Sequence, residues 1–374
     1  MRHGAHSASS TVAAATISLR ASTHKKHPAI RQQQKFFRSF LYMNRFFHRR
    51  CAAFLCAAAL TIAFCFSACR PSFEPVSKSG FYFDTIISLT AYGSRAESAL
   101  EDAFALCERY EKLWSKTIKG SDIWNITHAD GQPVTVAPET AKLLSTALYW
   151  AQKTDGLIDP TVTPLSDLWN FTGDPAGPVP SQEDIDMLLS HVSYENIIID
   201  GNIVTLTDPD AGIDVGFLAK GYIADRLKEL FLKQGITSAL INLGGNVLAV
   251  GTKPDGSPFK TGITMPFGKD GELAGIVELN DRSLVSSGSY ERCFEQDGRL
   301  YHHILDPSTG YPSDSGLSGV TILSDSSTDG DALSTSCFLL GLKKGMSLIK
   351  SLPDTEAMFI TTDGQIYKTD GFPG

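Results

Sequence analysis

The first 68 residues contain no Asp or Glu, and this acid-free stretch decides where a folded domain can begin. It carries ten of the chain's 33 Lys and Arg residues, which leaves 23 basic and all 41 acidic residues for the rest. The remainder therefore has a net charge of −18, against −8 for the whole chain of 374 residues. A division of charge this sharp predicts a targeting segment followed by an acidic mature protein.

The end of the acid-free stretch has the parts of a secretory signal. Three Arg residues between positions 45 and 50 precede the uncharged apolar run CAAFLCAAALTIAFCF (51–66), and small residues then lead to Cys69. This resembles a bacterial lipoprotein signal, so we predict a signal peptide over 43–68, lipidation of Cys69 and a tether over 69–80. A signal-anchor helix with an incidental Cys69 is the alternative. Either arrangement tethers the domain to the outer side of the cytoplasmic membrane.

The true start of the chain is a separate question. Met43 begins MNRFFHRRCAAFLC, which is already a complete signal peptide of normal length. We therefore predict that residues 1–42 are an upstream extension that does not belong to the protein, with Met1 as the alternative start.

Composition excludes several classes of protein. Hydrophobic residues make up 42% and charged residues 20% of the chain, which excludes wholesale disorder. The absence of heptad and G-x-y repeats excludes a coiled coil and collagen. Only one apolar run approaches the length of a membrane span, which excludes a polytopic membrane protein. The negative net charge argues against a nucleic-acid partner.

The cysteines that follow the leader do not form a recognisable framework. Cys107, Cys293 and Cys337 are odd in number and far apart, and no CxxC or Cys/His ligand spacing is present. This argues against a zinc site and a disulfide scaffold. We predict that all three are small buried hydrophobic residues.

The mature chain mixes helix and strand patterns in groups rather than in strict β-α-β order, which predicts an α+β fold. Apolar residues at helical spacing or near-alternation place the elements. Helices are predicted at 95–114, 137–153, 181–191, 217–235 and 329–350. Strands are predicted at 81–92, 196–200, 203–207, 236–242 and 247–252, with shorter ones in 257–293 and two around 363–364.

Three segments combine glycine with polar side chains. GLIDPT (156–161) holds Asp159 in a loop, and NLGGN (242–246) is a turn between strands. DVGFLAKGY (214–222) runs from a strand end into a helix, whose free N–H groups and Lys220 suit an anion such as phosphate. Taken singly, each segment is better explained as an ordinary turn or helix start than as a ligand site. Walker A, GxSxG and HExxH motifs are absent.

A fourth candidate lies at the start of the last predicted helix. Asp331 and Thr335 are four residues apart and therefore share one helical face. A carboxylate and a hydroxyl together form a hard-oxygen pair that suits Mg²⁺. The alternative is an acidic residue stabilised by the helix dipole beside a Thr that bonds its own helix.

Seven segments in their order closely resemble the ApbE family, the FAD:protein FMN transferases. The resemblance covers about 81–370 and implies an α+β, roll-like domain with two subdomains and FAD in the cleft between them. It also implies Mg²⁺-dependent transfer of FMN from FAD to a Thr or Ser of a target protein through a phosphoester bond, with release of AMP. The segments are FDTIISLTAYG (83–93), GLIDPTVTPL (156–165), DVGFLAKGYIAD (214–225), NLGGNVLAVG (242–251), SSGSYER (286–292), HILDPSTGYP (303–312) and GDALSTSCFLLG (330–341).

The resemblance assigns roles to particular residues. It implies that the side chains of Asp331 and Thr335 and the backbone carbonyl of Phe217 hold the metal. His303 or Asp306 is the candidate catalytic base, although His303 could equally be structural, and Lys220 adds positive charge to the catalytic site. The residues that match FAD contacts are Phe83, Thr117, Leu157, Ile158, Asp159, Asp214, Lys220 and Leu305.

Three departures from the family pattern leave alternatives open. Gly330 replaces an Ala, Phe217 replaces a small residue, and Thr117 stands where many members carry a Tyr over the cofactor. Some members are chiefly Mg²⁺-dependent FAD pyrophosphatases, so hydrolysis of FAD to FMN and AMP is the first alternative. A non-catalytic FAD-binding lipoprotein is the second. The resemblance implies that the acceptors are flavoprotein subunits of membrane redox complexes on the periplasmic side.

Overall fold

The computed structural model describes residues 74–173 and 177–374. The predicted extension over 1–42, the signal peptide over 43–68 and the lipidation site Cys69 lie outside these ranges. None of the helices within the described ranges is long and apolar enough to cross a membrane.

The elements follow the chain in mixed groups. The strands are β1 (Val76–Tyr82), β2 (Thr85–Ala91), β3 (Val134–Thr135), β4 (Ile197–Asp200), β5 (Ile203–Leu206), β6 (Ala239–Leu243), β7 (Asn246–Val250), β8 (Phe259–Thr264), β9 (Leu273–Leu279), β10 (Ser283–Gly288), β11 (Cys293–Gln296), β12 (Arg299–His302), β13 (Leu317–Ser324), β14 (Glu356–Thr361) and β15 (Ile366–Lys368). The helices are α1 (Ala96–Trp114), α2 (Asp122–Thr127), α3 (Pro138–Lys153), α4 (Thr163–Trp169), α5 (Gln182–Leu189), α6 (Ala219–Lys233) and α7 (Ser327–Lys350), with a 3₁₀ turn over Tyr194–Asn196.

An eight-stranded antiparallel sheet in the order β1-β2-β6-β7-β10-β13-β14-β15 forms the framework. Alternate residues along its strands point to two cores. On one face, α1 packs on β1 and β2, α6 on β6 and β7, and α7 on β10, β13 and β14. On the other face, the β8–β9 hairpin packs on the sheet through residues such as Phe259 and Val277. The α+β class predicted from the sequence is confirmed.

Two smaller sheets lie beside this framework. Strands β3, β5 and β4 form one, and β11 and β12 form the other. The β11–β12 hairpin packs on a separate aromatic cluster around Trp169, whose indole Nε1 donates to the Gly310 carbonyl at 2.8 Å. This cluster joins α4 and α5 to the turn after His303.

The predicted helices are confirmed to within three residues at each end, and Ser181 caps α5 by accepting from the N–H of Asp184. The single strand predicted over 81–92 is wrong. The structure has a hairpin whose two turn residues, Phe83 and Asp84, both have positive φ, at 54° and 56°. Such turns usually contain glycine. Here the Phe83 N–H donates to Glu111 Oε1 at 2.8 Å, which stabilises an otherwise disfavoured turn.

Other differences concern short or fully buried elements. β1 begins at Val76, so the last five residues of the predicted tether form part of the sheet. β13 was not predicted, because every one of its residues is buried and no alternation marks it. Cys107 and Cys337 are buried as predicted, whereas Cys293 is only half-buried on β11.

Three loops lie side by side at the same end of neighbouring strands in the middle of the sheet. Strand pairing sets Ile87 of β2 beside Leu243, Leu243 beside Asn246, and Asn246 beside Val285 of β10. The β1–β2 turn, the β6–β7 turn and the end of β10 therefore lie next to one another. Two of the helices that cover the sheet, α6 and α7, contact each other through their first turns near this end of the strands.

Candidate functional site

Two helix N-termini meet at Gly221. A Cβ at this position of α6 would lie 2.2 Å from the Ser327 carbonyl oxygen and 2.8 Å from the Cβ of Asp331, both on α7. Only glycine permits this approach. We call the first turns of α6 and α7, in contact at this point, the helix crossing.

Each helix of the crossing caps the other. The N–H of Gly221 donates to Asp331 Oδ2 at 2.8 Å, so a residue of α7 satisfies a free donor of α6. In return Asp225 of α6 accepts from the N–H groups of Ser327 and Thr328 at 3.0 and 2.9 Å. Since helix N-termini carry unpaired N–H groups and positive partial charge, both carboxylates are stabilised there. The reciprocal caps fix the position of Asp331.

Asp331 is buried but not fully hydrogen-bonded. Its exposed fraction is 3%, and burial raises the pKa of its carboxyl, an effect opposed by Lys220, the Gly221 N–H and Asn246. The described residues form no hydrogen bond to its second oxygen, Oδ1. A buried carboxylate with one free oxygen is suited to a cation.

Two further oxygens belong to residues next to the crossing, Phe217 just before α6 and Thr335 in the second turn of α7. The Gly221 N–H would ordinarily donate to the carbonyl of Phe217 four residues earlier, but Asp331 takes it, and no described N–H donates to that carbonyl. Thr335 lies one turn beyond Asp331 on α7, with its Oγ1 3.3 Å from Ser287 Oγ. A carboxylate, a carbonyl and a hydroxyl form a hard-oxygen donor set. The three predicted metal-ligand residues thus have the donor chemistry that Mg²⁺ requires.

Two cations lie near the crossing, Lys220 in the first turn of α6 and Arg292 just before β11. Among the described residues, no carboxylate lies within salt-bridge distance of Lys220 or Arg292. Lys220 nevertheless acts on the pKa values of Asp331 and Glu291, and Arg292 on those of Asp214 and Glu291. The backbone N–H of Lys220 also has no hydrogen-bond acceptor among the described residues. These groups form a place for a polyanion such as a pyrophosphate.

His303 lies among these charges. Burial, and then the positive charges of Arg292 and Lys220 together with His302, lower its pKa to about 4. Its Nδ1 lies 3.4 Å from the carbonyl oxygen of Arg292, so the hydrogen-bond network assigns the proton to Nδ1. Nε2 is then an unprotonated acceptor. His303 therefore has a ring nitrogen that can accept a proton. His302 is buried, and both of its ring nitrogens are hydrogen-bonded, one to the Ser313 carbonyl and the other to the Ile304 N–H.

Asp214 marks the other side of the site. Burial alone would raise the pKa of its carboxyl, but Lys116, 3.3 Å away, and the N–H of Gly216, at 2.8 Å, lower it. The backbone N–H of Asp214 donates to the Pro160 carbonyl at 2.7 Å. That bond joins two of the glycine-containing segments. Thr117 is exposed on the loop next to Lys116, so it lies on this side.

Asp159 has a different function from its neighbours. One oxygen accepts from the N–H and hydroxyl of Thr161 at 2.8 and 2.6 Å, and the other accepts from the N–H of Tyr194 at 2.8 Å. Ile158 is 2% exposed and belongs to the core under α7. The side chains of both residues are therefore occupied within the protein. Contacts of this segment with FAD would come from backbone groups and from the half-buried Leu157.

Three other predicted residues share no described contact with the helix crossing. Asp306 Oδ1 accepts from the N–H and hydroxyl of Ser308, so this carboxylate shapes its own turn. Leu305 is 6% exposed and packs in the aromatic cluster around Trp169. Phe83 is half-buried in the β1–β2 turn, beside the β6–β7 turn. Of the two predicted bases, only His303 lies among the charges at the crossing.

Four residues that lie at the site in the structure were not among the predicted site residues. Arg292 and Glu291 end SSGSYER, Asn246 ends NLGGN, and Asp225 ends DVGFLAKGYIAD. Asp225 lies four residues after Gly221, so helical spacing alone could have placed it on the same face. The other three have no local signal, because their partners are distant in the sequence.

The chain is similar in sequence to a known protein family and to curated members of it. The ApbE family model matches residues 83–359. A curated FAD:protein FMN transferase from Klebsiella pneumoniae is 37% identical over 276 residues, which are 73% of this chain and 85% of that protein. A second, from Treponema pallidum, is 32% identical over 322 residues, covering 81% and 89% of the two chains.

Solved structures give the same result. The crystal structure of the ApbE protein from Thermotoga maritima has a TM-score of 0.74 at 31% identity and covers 79% of this chain and 97% of its own. The flavin transferase ApbE from Vibrio cholerae has a TM-score of 0.72 at 27% identity, with 80% and 98% covered. The match therefore extends over nearly the full length of these proteins.

Proposed function

The chain belongs to the ApbE family, and from that membership we propose that it transfers FMN from FAD to a Thr or Ser hydroxyl of a target protein. The products are AMP and a phosphoester-linked flavin. The family predicted from seven sequence motifs is confirmed by the family model and by the relatives named above. The observation that carries the proposal is the helix crossing, where the buried Asp331 carboxylate has one oxygen without a hydrogen bond, and Lys220 lies near it without an ion-pair partner, among the residues that the structure describes.

Mg²⁺ is the cation that we propose for the crossing. Asp331, Thr335 and the Phe217 carbonyl would hold it. Among the described residues, no hydrogen bond reaches Asp331 Oδ1 or the Phe217 carbonyl, which supports this assignment. A bound Mg²⁺ supplies positive charge to the phosphate oxygens of the substrate as negative charge develops. The positive charge would also favour the ionised form of Asp331, opposing the effect of burial.

We propose that the pyrophosphate of FAD binds between Lys220 and Arg292. The free N–H of Lys220, in the first turn of α6, can donate to a phosphate oxygen. Because the chain after residue 68 has a net charge of −18, local cations are needed to hold a polyanion there.

The transfer step has one bond formed and one broken. The acceptor hydroxyl oxygen attacks the phosphorus of the FMN half, and the bond from that phosphorus to the bridging oxygen breaks, so its electron pair leaves with AMP. His303 Nε2 takes the hydroxyl proton. Burial, and after it the charges of Arg292 and Lys220, lower the pKa of His303 in the free protein. A bound pyrophosphate would offset both charges, raise this pKa and make His303 a stronger base.

The predicted signal sequence over 43–68 bears on where this reaction takes place. We propose that Cys69 is lipidated and that the domain lies on the outer side of the cytoplasmic membrane. The apolar run over 51–66, its basic flank and the small residues before Cys69 support this. Acceptors would then be flavoprotein subunits of membrane redox complexes on the same side. A Cys69→Ser variant that remained in the membrane fraction would contradict the lipid anchor.

One incubation tests the proposed activity. The full chain is mixed with FAD, Mg²⁺ and a Thr-containing acceptor fragment, and flavin fluorescence is followed on a denaturing gel. Fluorescence on the acceptor, its loss when the Thr is replaced by Val, and one AMP per flavin are expected. Free FMN with an unlabelled acceptor would instead establish an FAD pyrophosphatase. Unchanged FAD would establish a flavin-binding protein without catalysis.

A further inference from the structure

Asn246 has a fixed and enclosed position at the helix crossing. It follows the Gly244–Gly245 turn, whose φ angles are 62° and 90°, and it is 1% exposed. A Cβ on Gly244 would lie 2.1 Å from Thr85 Oγ1, so the turn requires glycine and its register cannot shift. Asn246 is therefore held at the start of β7, under the first turn of α7.

A chain of hydroxyl groups orients the Asn246 amide. Ser283 Oγ donates to Ser327 Oγ at 2.9 Å, and Ser327 Oγ donates to Asn246 Oδ1 at 2.6 Å. Ser283 and Ser327 are both fully buried. In this network Ser327 accepts from Ser283 and donates to the amide oxygen, which places Nδ2 on the side of the amide that faces away from Ser327.

The Nδ2 group has no acceptor in hydrogen-bonding geometry among the described residues, although it is buried. A buried donor without a partner costs about 1–3 kcal/mol. Ser327, whose hydroxyl lies 2.6 Å from the amide oxygen, is four residues before Asp331 on α7, so the Asn246 amide lies against the helix face that carries the Asp331 carboxylate. The Gly221 N–H already occupies Asp331 Oδ2, so a second donor beside this carboxylate would fix its plane.

We infer that Asn246 is a positioning residue for the cation site, whose Nδ2 holds the Asp331 carboxylate in the plane that directs a free lone pair at the ion. This inference rests on the proposed function, because it requires Asp331 to ligate a divalent cation. One donor from α6 and one from β7 would then leave the remaining lone pairs of the carboxylate for the metal. Groups of this kind around a ligand typically change metal affinity by 10- to 100-fold.

The test measures metal binding without turnover. Mn²⁺ is titrated into the full chain and the free ion is followed by electron paramagnetic resonance, for wild type and for Asn246→Leu, which keeps the volume and removes the donor. We expect a 10- to 100-fold weaker Kd for Mn²⁺. FAD affinity without metal, from flavin fluorescence, should change less than about twofold, since the inferred role of Asn246 is to position Asp331 and not to bind the substrate. Saturating Mg²⁺ should restore most of kcat.

Two further variants keep the result interpretable. Asn242→Leu makes the same replacement on the same hairpin, where the side chain only accepts from the Gly245 N–H at 3.3 Å, and it should bind Mn²⁺ as wild type does. Ser327→Ala keeps Asn246 but frees its amide to turn, and should weaken Mn²⁺ binding by about threefold to tenfold even if Asn246→Leu does not fold. Unchanged Mn²⁺ affinity in the folded Asn246 and Ser327 variants overturns the inference alone. A wild-type protein that binds no Mn²⁺ overturns it together with the proposed metal site.

Discussion

Asp159 and Asp331 are both buried carboxylates in segments that resemble FAD- or metal-binding motifs, yet their surroundings differ. Asp159 accepts three hydrogen bonds from Thr161 and Tyr194, which engage both of its oxygens. Among the residues that the structure describes, Asp331 accepts one, from Gly221, and its Oδ1 accepts none. Burial raises the pKa of both carboxyls, so neither burial nor pKa distinguishes them.

The number of unsatisfied oxygens is what separates a structural carboxylate from a ligand. The Asp159 loop closes on itself within a few residues and on the 3₁₀ turn at Tyr194. In the described part of the chain, the helix crossing instead leaves Asp331 Oδ1 and the Lys220 N–H without hydrogen-bond partners, which is the pattern expected of groups that a bound ion or substrate completes. The comparison predicts that replacement of Asp331 impairs catalysis, whereas replacement of Asp159 impairs folding.

The largest effect is expected for Asp331→Asn. The amide oxygen can still accept from Gly221, so the fold should survive, but the charge that holds the cation is lost. AMP release should fall about 10³-fold or more, because the metal contributes several kcal/mol to the barrier. Chromatographic AMP assays measure this, with Asp329→Asn, two residues earlier and exposed, as the matched control. Wild-type turnover by Asp331→Asn would remove the distinction between the two carboxylates.

Asp159→Ala tests the opposite side of the comparison. Three donors lose their acceptor in a buried loop, so the free energy of unfolding should fall by about 2–4 kcal/mol. The kcat of the folded fraction at saturating FAD should stay within about tenfold of wild type. Urea unfolding and steady-state assays give the two numbers. A catalytic loss as large as that of Asp331→Asn, at unchanged stability, would show that Asp159 contacts the substrate through its side chain.

The pH dependence of the free energy of unfolding tests whether His303 is buried among positive charges. The unfolded chain binds a proton on this residue near pH 6.5, but the folded protein does so only near pH 4. The free energy of unfolding should therefore fall as the pH drops through this window, by about 2 kcal/mol from His303 after a discount for its partial exposure. The raised carboxyl pKa values of Asp159 and Asp331 act in the reverse direction. Urea unfolding of the metal-free protein between pH 7 and 4.5 should give a shallower slope for His303→Gln, and an equal slope would contradict the assignment.

The smallest effect is expected for Asp225→Asn. An amide oxygen replaces a carboxylate that accepts from two N–H groups at the start of α7, so stability should fall by about 1 kcal/mol. Mn²⁺ affinity should weaken only a few-fold, since Asp331 keeps its own bond to Gly221. A Mn²⁺ affinity lowered as much as in Asp331→Asn would mean that Asp225 is itself a ligand.

Periodicity and caps predicted the long helices well, because those signals are local. The β1–β2 turn was missed because Phe83 and Asp84 lack the usual turn residues, and Glu111, 28 positions away, stabilises them. β13 was missed because a strand buried on both faces shows no alternation.

The candidate site could be predicted only in part. The motifs named Asp331, Thr335 and Lys220, since residue types at fixed spacing carry that chemistry. The inferred role of Asn246 depends on Ser327, 81 residues away, and can be recognised only once the fold brings the start of β7 against α7. The same holds for Arg292, whose importance follows from its position beside Asp214 and His303.

The reciprocal caps also bear on what the proposed cation would have to reorganise. Across the crossing, the Gly221 N–H is paired with the Asp331 carboxylate, and the Asp225 carboxylate with the N–H of Ser327. The entropy of ordering the Asp331 carboxylate is therefore lost on folding, and a cation bound there would not have to offset it. Preorganisation of this kind would favour affinity for the ion without any new contact to it.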